Sequence, residues 1–408
     1  MDPFFATTRE VFDQEAASIG RTFVRQPVVW TQGEGCRLWD KDGRRYLDFF
    51  AGHAVMNLGY GHPAQLAAMR TQLERLVHTG NLYYNEAQVE LARRLVKTSF
   101  GGKVFFANSG AEITELAIKL ARKHARAAGD SPDRHEILTC RGSFHGRTFG
   151  ALSATGQDKY HAGLEPMLPG FRHVPFNDPE AMAAAITPQT CAVLLEPIQG
   201  EGGIWPARRE YLEGLRAACD RNRLLLIFDE IQCGLGRCGT RHAYEYYGVV
   251  PDVLLLGKPL GGGLPISALI TRAAVAESLQ VGDHGSTFGG NPVAAAGGCV
   301  LLAVLEQPGF LQHLQATAAY LEGRLAALAA AHPRVVKSAR GLGLMQALEL
   351  HASGPEAVGL ALQEGLVINC TAGHVLRLLP PLVIGQAEVD EACGILERVL
   401  QALEKKKA

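Results

Sequence analysis

Two charged residues stand where apolar strands end. The run Leu224-Leu225-Leu226-Ile227-Phe228 is short, continuous and charge-free, as a strand buried in a parallel sheet reads, and it delivers Asp229-Glu230. A second run, Val253-Leu254-Leu255-Leu256, delivers Gly257-Lys258, followed by Pro259-Leu260-Gly261-Gly262-Gly263. Open α/β sheets bind ligands at the carboxyl ends of their strands. A lysine between an apolar strand and a glycine run is partly desolvated, which lowers its pKa toward the neutral amine that attacks carbonyls. A carboxylate at the neighbouring strand end is the counter-group that a protonated pyridine nitrogen requires. Lys258 and Asp229 together suggest covalent capture of pyridoxal 5'-phosphate with an acid facing its ring nitrogen. Taken alone, such a pair is more often two strand-end charges solvated in loops.

Further segments extend this chemistry. Asn108-Ser109-Gly110-Ala111-Glu112 follows an apolar strand and opens a helix whose Ile113, Leu116, Ala117 and Leu120 share one face. Free N–H groups on Gly110 and Ala111 beside the Ser109 hydroxyl form a phosphate seat at the positive end of the helix dipole. The competing reading is an ordinary Ser109 cap. In Phe144-His145-Gly146-Arg147-Thr148, the aromatic ring can stack on a flat cofactor and the guanidinium can grip a carboxylate. Glu196-Pro197-Ile198-Gln199-Gly200-Glu201-Gly202-Gly203 offers two carboxylates on a glycine-rich loop. An acid/base dyad, a gate and substrate pairing are all open for them. The loop His284-Gly285-Ser286-Thr287-Phe288 has hydroxyls suited to phosphate or substrate, or simply to capping the helix after it.

One pattern is discounted. Gly234-Leu235-Gly236-Arg237-Cys238-Gly239 matches G-x-G-x-x-G, but a dinucleotide turn sits directly between strand and helix with an acid about 20 residues on. Here Asp229-Glu230-Ile231-Gln232 intervene after the strand, and only a short helical stretch follows before Pro251. A nicotinamide oxidoreductase therefore rests on very little. A cofactor-free binding protein would make Lys258 and Asp229 structural. No Walker loop, HExxH, nucleophile elbow or metal-ligand cluster is present, and no metal is expected.

The elements that must hold these residues alternate. Strands are predicted at 104–107, 137–140, 192–195, 224–228, 253–256 and 267–270, with helices between several of them, notably 208–221. This is an α/β pattern, a doubly wound and mostly parallel sheet. Residues 1–62 read as an N-terminal segment containing a hairpin over 39–48 with Asp42-Gly43 in its turn. They are expected to pack with a smaller α+β domain at 300–408, leaving 63–299 as the large cofactor-binding domain. A long Ala/Leu-rich helix is predicted after Asn291-Pro292, and a last helix near 386–405.

Composition bounds the function classes. The 408 residues, 47% of them hydrophobic, exceed one ordinary core. A formal net charge of −1 gives no reason to expect nucleic acid or an acidic membrane surface. Nine scattered cysteines without metal spacing fit reduced thiols in the cytoplasm. The N-terminus lacks a signal-peptide pattern, and no apolar run approaches membrane-spanning length.

In this order the motifs resemble the class III, or ornithine-type, aminotransferases, fold type I pyridoxal-phosphate enzymes. The resemblance runs from Tyr46-Leu47-Asp48 to Leu376-Arg377-Leu378-Leu379-Pro380-Pro381 and is strongest toward the branch acting on acetylornithine. It rests on the segments at 78–84, 105–112, 144–148 and 200–203. It implies transfer of an amino group from N2-acetylornithine, or a related acylated diamino acid, to 2-oxoglutarate, as in arginine biosynthesis. Succinyldiaminopimelate, acyl-lysine, ornithine and 4-aminobutyrate are the rival donors.

By resemblance, Lys258 would hold the cofactor and shuttle protons. Asp229 would face the ring nitrogen, Gln232 the ring hydroxyl, and Phe144 the ring face. Ser109, Gly110 and Ala111 would seat the phosphate, with Thr287 reaching in from the other subunit of a homodimer. Arg147 and Ser286 would bind substrate. Glu201 and Arg377 would form the pair that lets one pocket take both substrates. The chain departs from the family pattern at several points, among them His53 and Met56, in place of Ile and Asn near the substrate entrance.

Overall fold

The computed structural model describes residues 4–407. Its centre is a seven-stranded sheet of Lys103–Ala107 (β1), Glu136–Cys140 (β2), Phe171–Val174 (β3), Thr190–Leu195 (β4), Leu225–Asp229 (β5), Val253–Leu256 (β6) and Ser267–Thr271 (β7). Their order is β1-β7-β6-β5-β4-β2-β3. β5 pairs parallel with both β4 and β6, while β7 runs antiparallel to β6 and β1. The sheet is therefore mostly parallel, as the alternation of elements predicts.

Both faces of the sheet are covered, which is why its central strands carry no polar alternation. On β5, Leu226 and Phe228 join one apolar core with Tyr211, Leu212 and Leu215 of the helix Arg209–Asn222. Leu225 and Ile227 join another with Ile113, Leu116 and Leu120 of the helix Gly110–Ala127 (α1). Burying each such side chain contributes about 1.5–3 kcal/mol.

β5 begins and ends one residue later than predicted. Arg223 takes a left-handed conformation that ends the preceding helix, and the Leu224 N–H bonds back to the Cys219 carbonyl. Leu224 thus belongs to the turn, and Asp229 is the last strand residue, in register with Leu255. The edge strand β3 carries polar Arg172 and His173 between its apolar ends, and no strand was predicted there.

The N-terminal hairpin forms as read, Arg37–Asp40 pairing with Arg45–Asp48 around Gly43 at φ +81°. A third strand, Trp30–Glu34, extends it, and Leu366–Val367 pairs parallel with Leu47 and Asp48. A separate antiparallel sheet contains Val336–Leu342 (β8), Met345–Leu350 (β9), Asn369–Thr371 (β10) and Val375–Leu378 (β11), in the order β8-β9-β11-β10.

The single long helix predicted after Pro292 is instead two, Pro292–Leu305 and Phe310–Ala331, bent by 77°. Pro308 removes a donor and restricts the residue before it, and Gly309 at φ +84° starts the second helix. The last helix spans Gln386–Lys407. Among the described residues no single helix is long and apolar enough to cross a membrane.

Candidate active site

β5 and β6 end side by side, so Asp229 and Lys258 arrive at one mouth of the sheet. Both line a cavity of about 260 Å³ together with Gly110, Ala111, Phe144, Arg147, Glu201 and Gln232. Lys258 takes φ +39°, a conformation that costs a non-glycine residue free energy and that clusters at functional sites. Burial pushes its pKa down and Arg377 adds to this, against the pull of Glu201, Asp229 and Glu196. An amine so placed is a better nucleophile and proton acceptor than a surface lysine.

Asp229 is buried, and each of its oxygens has a donor. Oδ2 lies 2.8 Å from His145 Nδ1, and Oδ1 accepts from the Ile231 N–H at 3.1 Å. A carboxylate only accepts, so His145 Nδ1 carries the proton. His145 is itself buried, and its Nε2 has no partner among the described residues.

The opposite end of the cavity is backbone. Gly110 and Ala111 open α1, where no preceding turn accepts their N–H groups. Side chains are excluded there by contact: a Cβ on Gly146, at φ +137°, would sit 2.7 Å from the Ala111 Cβ. Ser109 behaves as a cap. Its Oγ accepts from the Glu112 N–H at 3.3 Å, and Glu112 Oε2 accepts from the Asn108 and Ser109 N–H groups. The cavity thus offers an amine, a buried carboxylate, helix-start amides and the flat face of Phe144. A phosphorylated pyridine aldehyde calls for this donor set.

Three residues to which sequence reasoning gave no role also line the cavity, His145, Gly146 and Ile231, as does Glu196, read in advance only as one of two loop carboxylates. Glu196 accepts from the Phe144 N–H at 2.9 Å and the Gly200 N–H at 3.0 Å, and burial raises its pKa to about 7. Its strand-end position was the available signal; its two backbone donors lie on loops that only the fold joins.

Glu201 is held by a charged partner where Glu196 is held by backbone amides. It forms a hydrogen-bonded ion pair with Arg377 Nη1, and although burial raises its pKa, the Arg377 charge outweighs this and leaves it lowered. Arg377, fully buried on β11, also bonds Asn369 Oδ1 at 3.1 Å and Gln232 Oε1 at 3.3 Å. Its Nη2 has no partner among the described residues. The glycines beside Glu201 answer to crowding: a Cβ on Gly200 would meet Gln232 Oε1 at 2.1 Å, and one on Gly202 the Gly142 carbonyl at 2.5 Å.

Arg147 is exposed at the cavity mouth, its guanidinium 4.1 Å from the Tyr160 ring centroid, with no carboxylate partner among the described residues. Ser286 and Thr287 do not line this cavity. Ser286 Oγ accepts from Asn108 Nδ2 at 3.1 Å and from the Gly289 N–H at 3.0 Å, while Thr287 is exposed on the same loop. The G-x-G-x-x-G segment lies apart from the cavity and contributes none of its lining.

A family model, that of the class-III aminotransferases, matches residues 20–400. The chain belongs to that family. This class III aminotransferase is a pyridoxal-phosphate-dependent enzyme. It is 50% identical over 383 residues to an acetylornithine aminotransferase of Caldanaerobacter subterraneus subsp. tengcongensis, covering 94% of this chain and 97% of that one. It is 44% identical to an acetylornithine aminotransferase of Methanocaldococcus jannaschii, covering 93% and 95%. Among solved structures, the ornithine aminotransferase from Toxoplasma gondii superposes with a TM-score of 0.95 at 33% identity, covering 99% and 97%. The family assignment removes the nicotinamide alternative.

Proposed function

We propose that this class III aminotransferase transfers the side-chain amino group of N2-acetylornithine to 2-oxoglutarate, giving N-acetylglutamate semialdehyde and glutamate. The carrying observation is the pair of arginines around one lysine: Arg147 open to the mouth, Arg377 buried and masked by Glu201. The relatives named acetylornithine aminotransferase support the same donor.

A transaminase must take two substrates in one pocket. The acylated donor carries one carboxylate and reacts at its far end, because its 2-amino group is an uncharged amide. The acceptor carries a second carboxylate next to the reacting carbon. Arg147 grips a carboxylate in both half-reactions, since a guanidinium fork matches that geometry. Arg377 is wanted only for the acceptor, and Glu201 neutralises it while the donor is bound.

When bound, pyridoxal phosphate supplies the electron sink that lets the carbon bearing the amine lose a proton. The amides of Gly110 and Ala111, with Ser109, would seat its phosphate, Phe144 would cover its ring, and Gln232 would reach its ring hydroxyl. The Asp229 carboxylate would hold a proton at the ring nitrogen. Lys258 Nζ, kept toward the neutral amine by burial, takes the proton from the substrate carbon and returns it.

Donor discrimination is the test. With 2-oxoglutarate as acceptor, kcat/KM is expected to be highest for acetylornithine among acetylornithine, ornithine, succinyldiaminopimelate, acyl-lysine and 4-aminobutyrate; a higher value for any of the other four overturns the donor assignment. Glu201→Gln is expected to leave Arg377 unmasked and raise the rate with glutamate relative to acetylornithine by about tenfold, one charge-assisted pairing of roughly 1.5 kcal/mol. An unchanged ratio in single-turnover half-reactions would make Glu201 a structural loop carboxylate.

The enzyme works as a cytoplasmic homodimer in this reading, with 1–62 and 300–408 framing the large domain at 63–299. Leu82 and Tyr84 are 93% and 97% exposed, and Phe288 beside Thr287 is 58% exposed, apolar surface that a partner subunit would cover. Thr287 then completes the phosphate seat, and Ser286 the substrate site, of the neighbouring subunit. Mixing inactive Lys258→Ala chains with an inactive Thr287→Arg chain is expected to restore activity in the mixed dimers. No recovery after verified subunit exchange counts against shared sites.

A further inference from the structure

The glycine-rich turn left unused by the chemistry carries a fully buried charge. Arg237 is 0% exposed and pairs with no carboxylate among the described residues. Its Nη1 donates to the Leu344 carbonyl at 2.9 Å and the Pro380 carbonyl at 2.6 Å, and its Nη2 donates to Asn57 Oδ1 at 2.7 Å. These three acceptors come from three separate segments: the turn between β8 and β9, the chain just after β11, and the N-terminal segment. A guanidinium stays charged in proteins, so burying it costs several kcal/mol before its hydrogen bonds are counted. A planar fork meets these oxygens at fixed angles from two separate nitrogens, a geometry that the single nitrogen of an ammonium does not reproduce.

The junction is reinforced around it. The Leu344 N–H returns a bond to the Arg237 carbonyl at 2.9 Å, and Asn57 Nδ2 donates to the Leu235 carbonyl at 2.9 Å. The Leu379 and Leu382 N–H groups bond to the Phe49 and Asn57 carbonyls, each at 2.7 Å. Gly343 is required, because a Cβ there would lie 2.5 Å from the Arg237 carbonyl oxygen. The contacts close a ring. Arg237 lies five residues after Gln232, Pro380 three residues after Arg377, and Arg377 Nη1 meets Gln232 Oε1 at 3.3 Å.

We propose that Arg237 is a positioning residue for Arg377. By tying Pro380 and Leu344 to the loop that bears Gln232, it sets where the Arg377 guanidinium stands and thereby tunes recognition of the dicarboxylate acceptor. This rests on the reading of Arg377 as the acceptor's second carboxylate site.

The test compares Michaelis constants in the cofactor-loaded enzyme. Arg237→Lys is expected to raise KM for 2-oxoglutarate by about tenfold, less than the hundredfold that a 1 Å misplacement can cost, while KM for the amino donor stays near its original value. A merely structural role would lower the thermal midpoint and move both constants together, and that result overturns the proposal. Arg377→Gln, measured in parallel, separates the two ideas. If it leaves KM for 2-oxoglutarate unchanged, the reading of Arg377 fails and the proposal with it. If it raises that KM and Arg237→Lys does not, only the positioning role fails. Should Arg237→Lys not fold, Asn57→Ala removes one of the three acceptors and keeps the arginine. A smaller rise confined to the same KM supports the role, and an unchanged KM overturns it.

Discussion

Lys258→Ala is expected to fold and to lose turnover by about 10⁴-fold, the upper range for a positioned proton-transfer group. The borohydride-reducible absorbance of the holoenzyme is lost with it. Among the described residues Lys258 is the only lysine lining the cavity, so no second amine stands where the first is removed. Burial disfavours the charged amine and outweighs the pull of its neighbouring carboxylates, so the fold should tolerate alanine. Intact mass after borohydride treatment separates this outcome from a general loss of activity: the wild-type chain gains the mass of the reduced cofactor, and the variant does not. A variant that still acquires that mass at the same rate would assign the attachment to another residue.

The residues readable in advance were those placed by strand ends. Asp229, Lys258 and Glu196 follow runs of apolar residues that only a sheet covered on both faces explains, and strand ends are where such sheets bind ligands. Gly110 and Ala111 were legible for a similar reason, since a small-residue turn before an amphipathic helix exposes amides. Partnerships across the chain were not readable from residue pattern. His145 was visible as a loop histidine, but its bond to Asp229 joins residues 84 apart. Arg377 and Glu201, 176 apart, were paired only through the family resemblance. Local competition accounts for the smaller misses. The Cys219 carbonyl claims the Leu224 amide before the strand begins. A strand such as Phe171–Val174, lying at the sheet edge, needs no apolar run to form.

Asp229→Asn is the sharper test of the electrostatic design, because the substitution keeps shape and removes charge. In the native site Oδ2 accepts from His145 Nδ1 at 2.8 Å and Oδ1 from the Ile231 N–H at 3.1 Å. Asparagine has one acceptor oxygen for these two donors, so its amide nitrogen must face either an N–H or the cavity. Neither arrangement supplies negative charge to a protonated ring nitrogen. At an effective dielectric of 20 a carboxylate 4 Å from a cation is worth about 4 kcal/mol, which bounds what is lost. The expected fall in kcat is about a hundredfold to a thousandfold, as for removal of one preorganised charge-stabilising group. Cofactor affinity should fall much less, because Lys258 and the Gly110–Ala111 amides are untouched. His145→Gln, which keeps the carboxylate and changes only its orienting donor, should cost far less than Asp229→Asn. Titrating cofactor absorbance gives the affinity, and single-turnover kinetics gives the rate. If Asp229→Asn lowered affinity and kcat by the same factor, the carboxylate would be anchoring the cofactor rather than tuning it, and the ring nitrogen would need no charged partner in this enzyme.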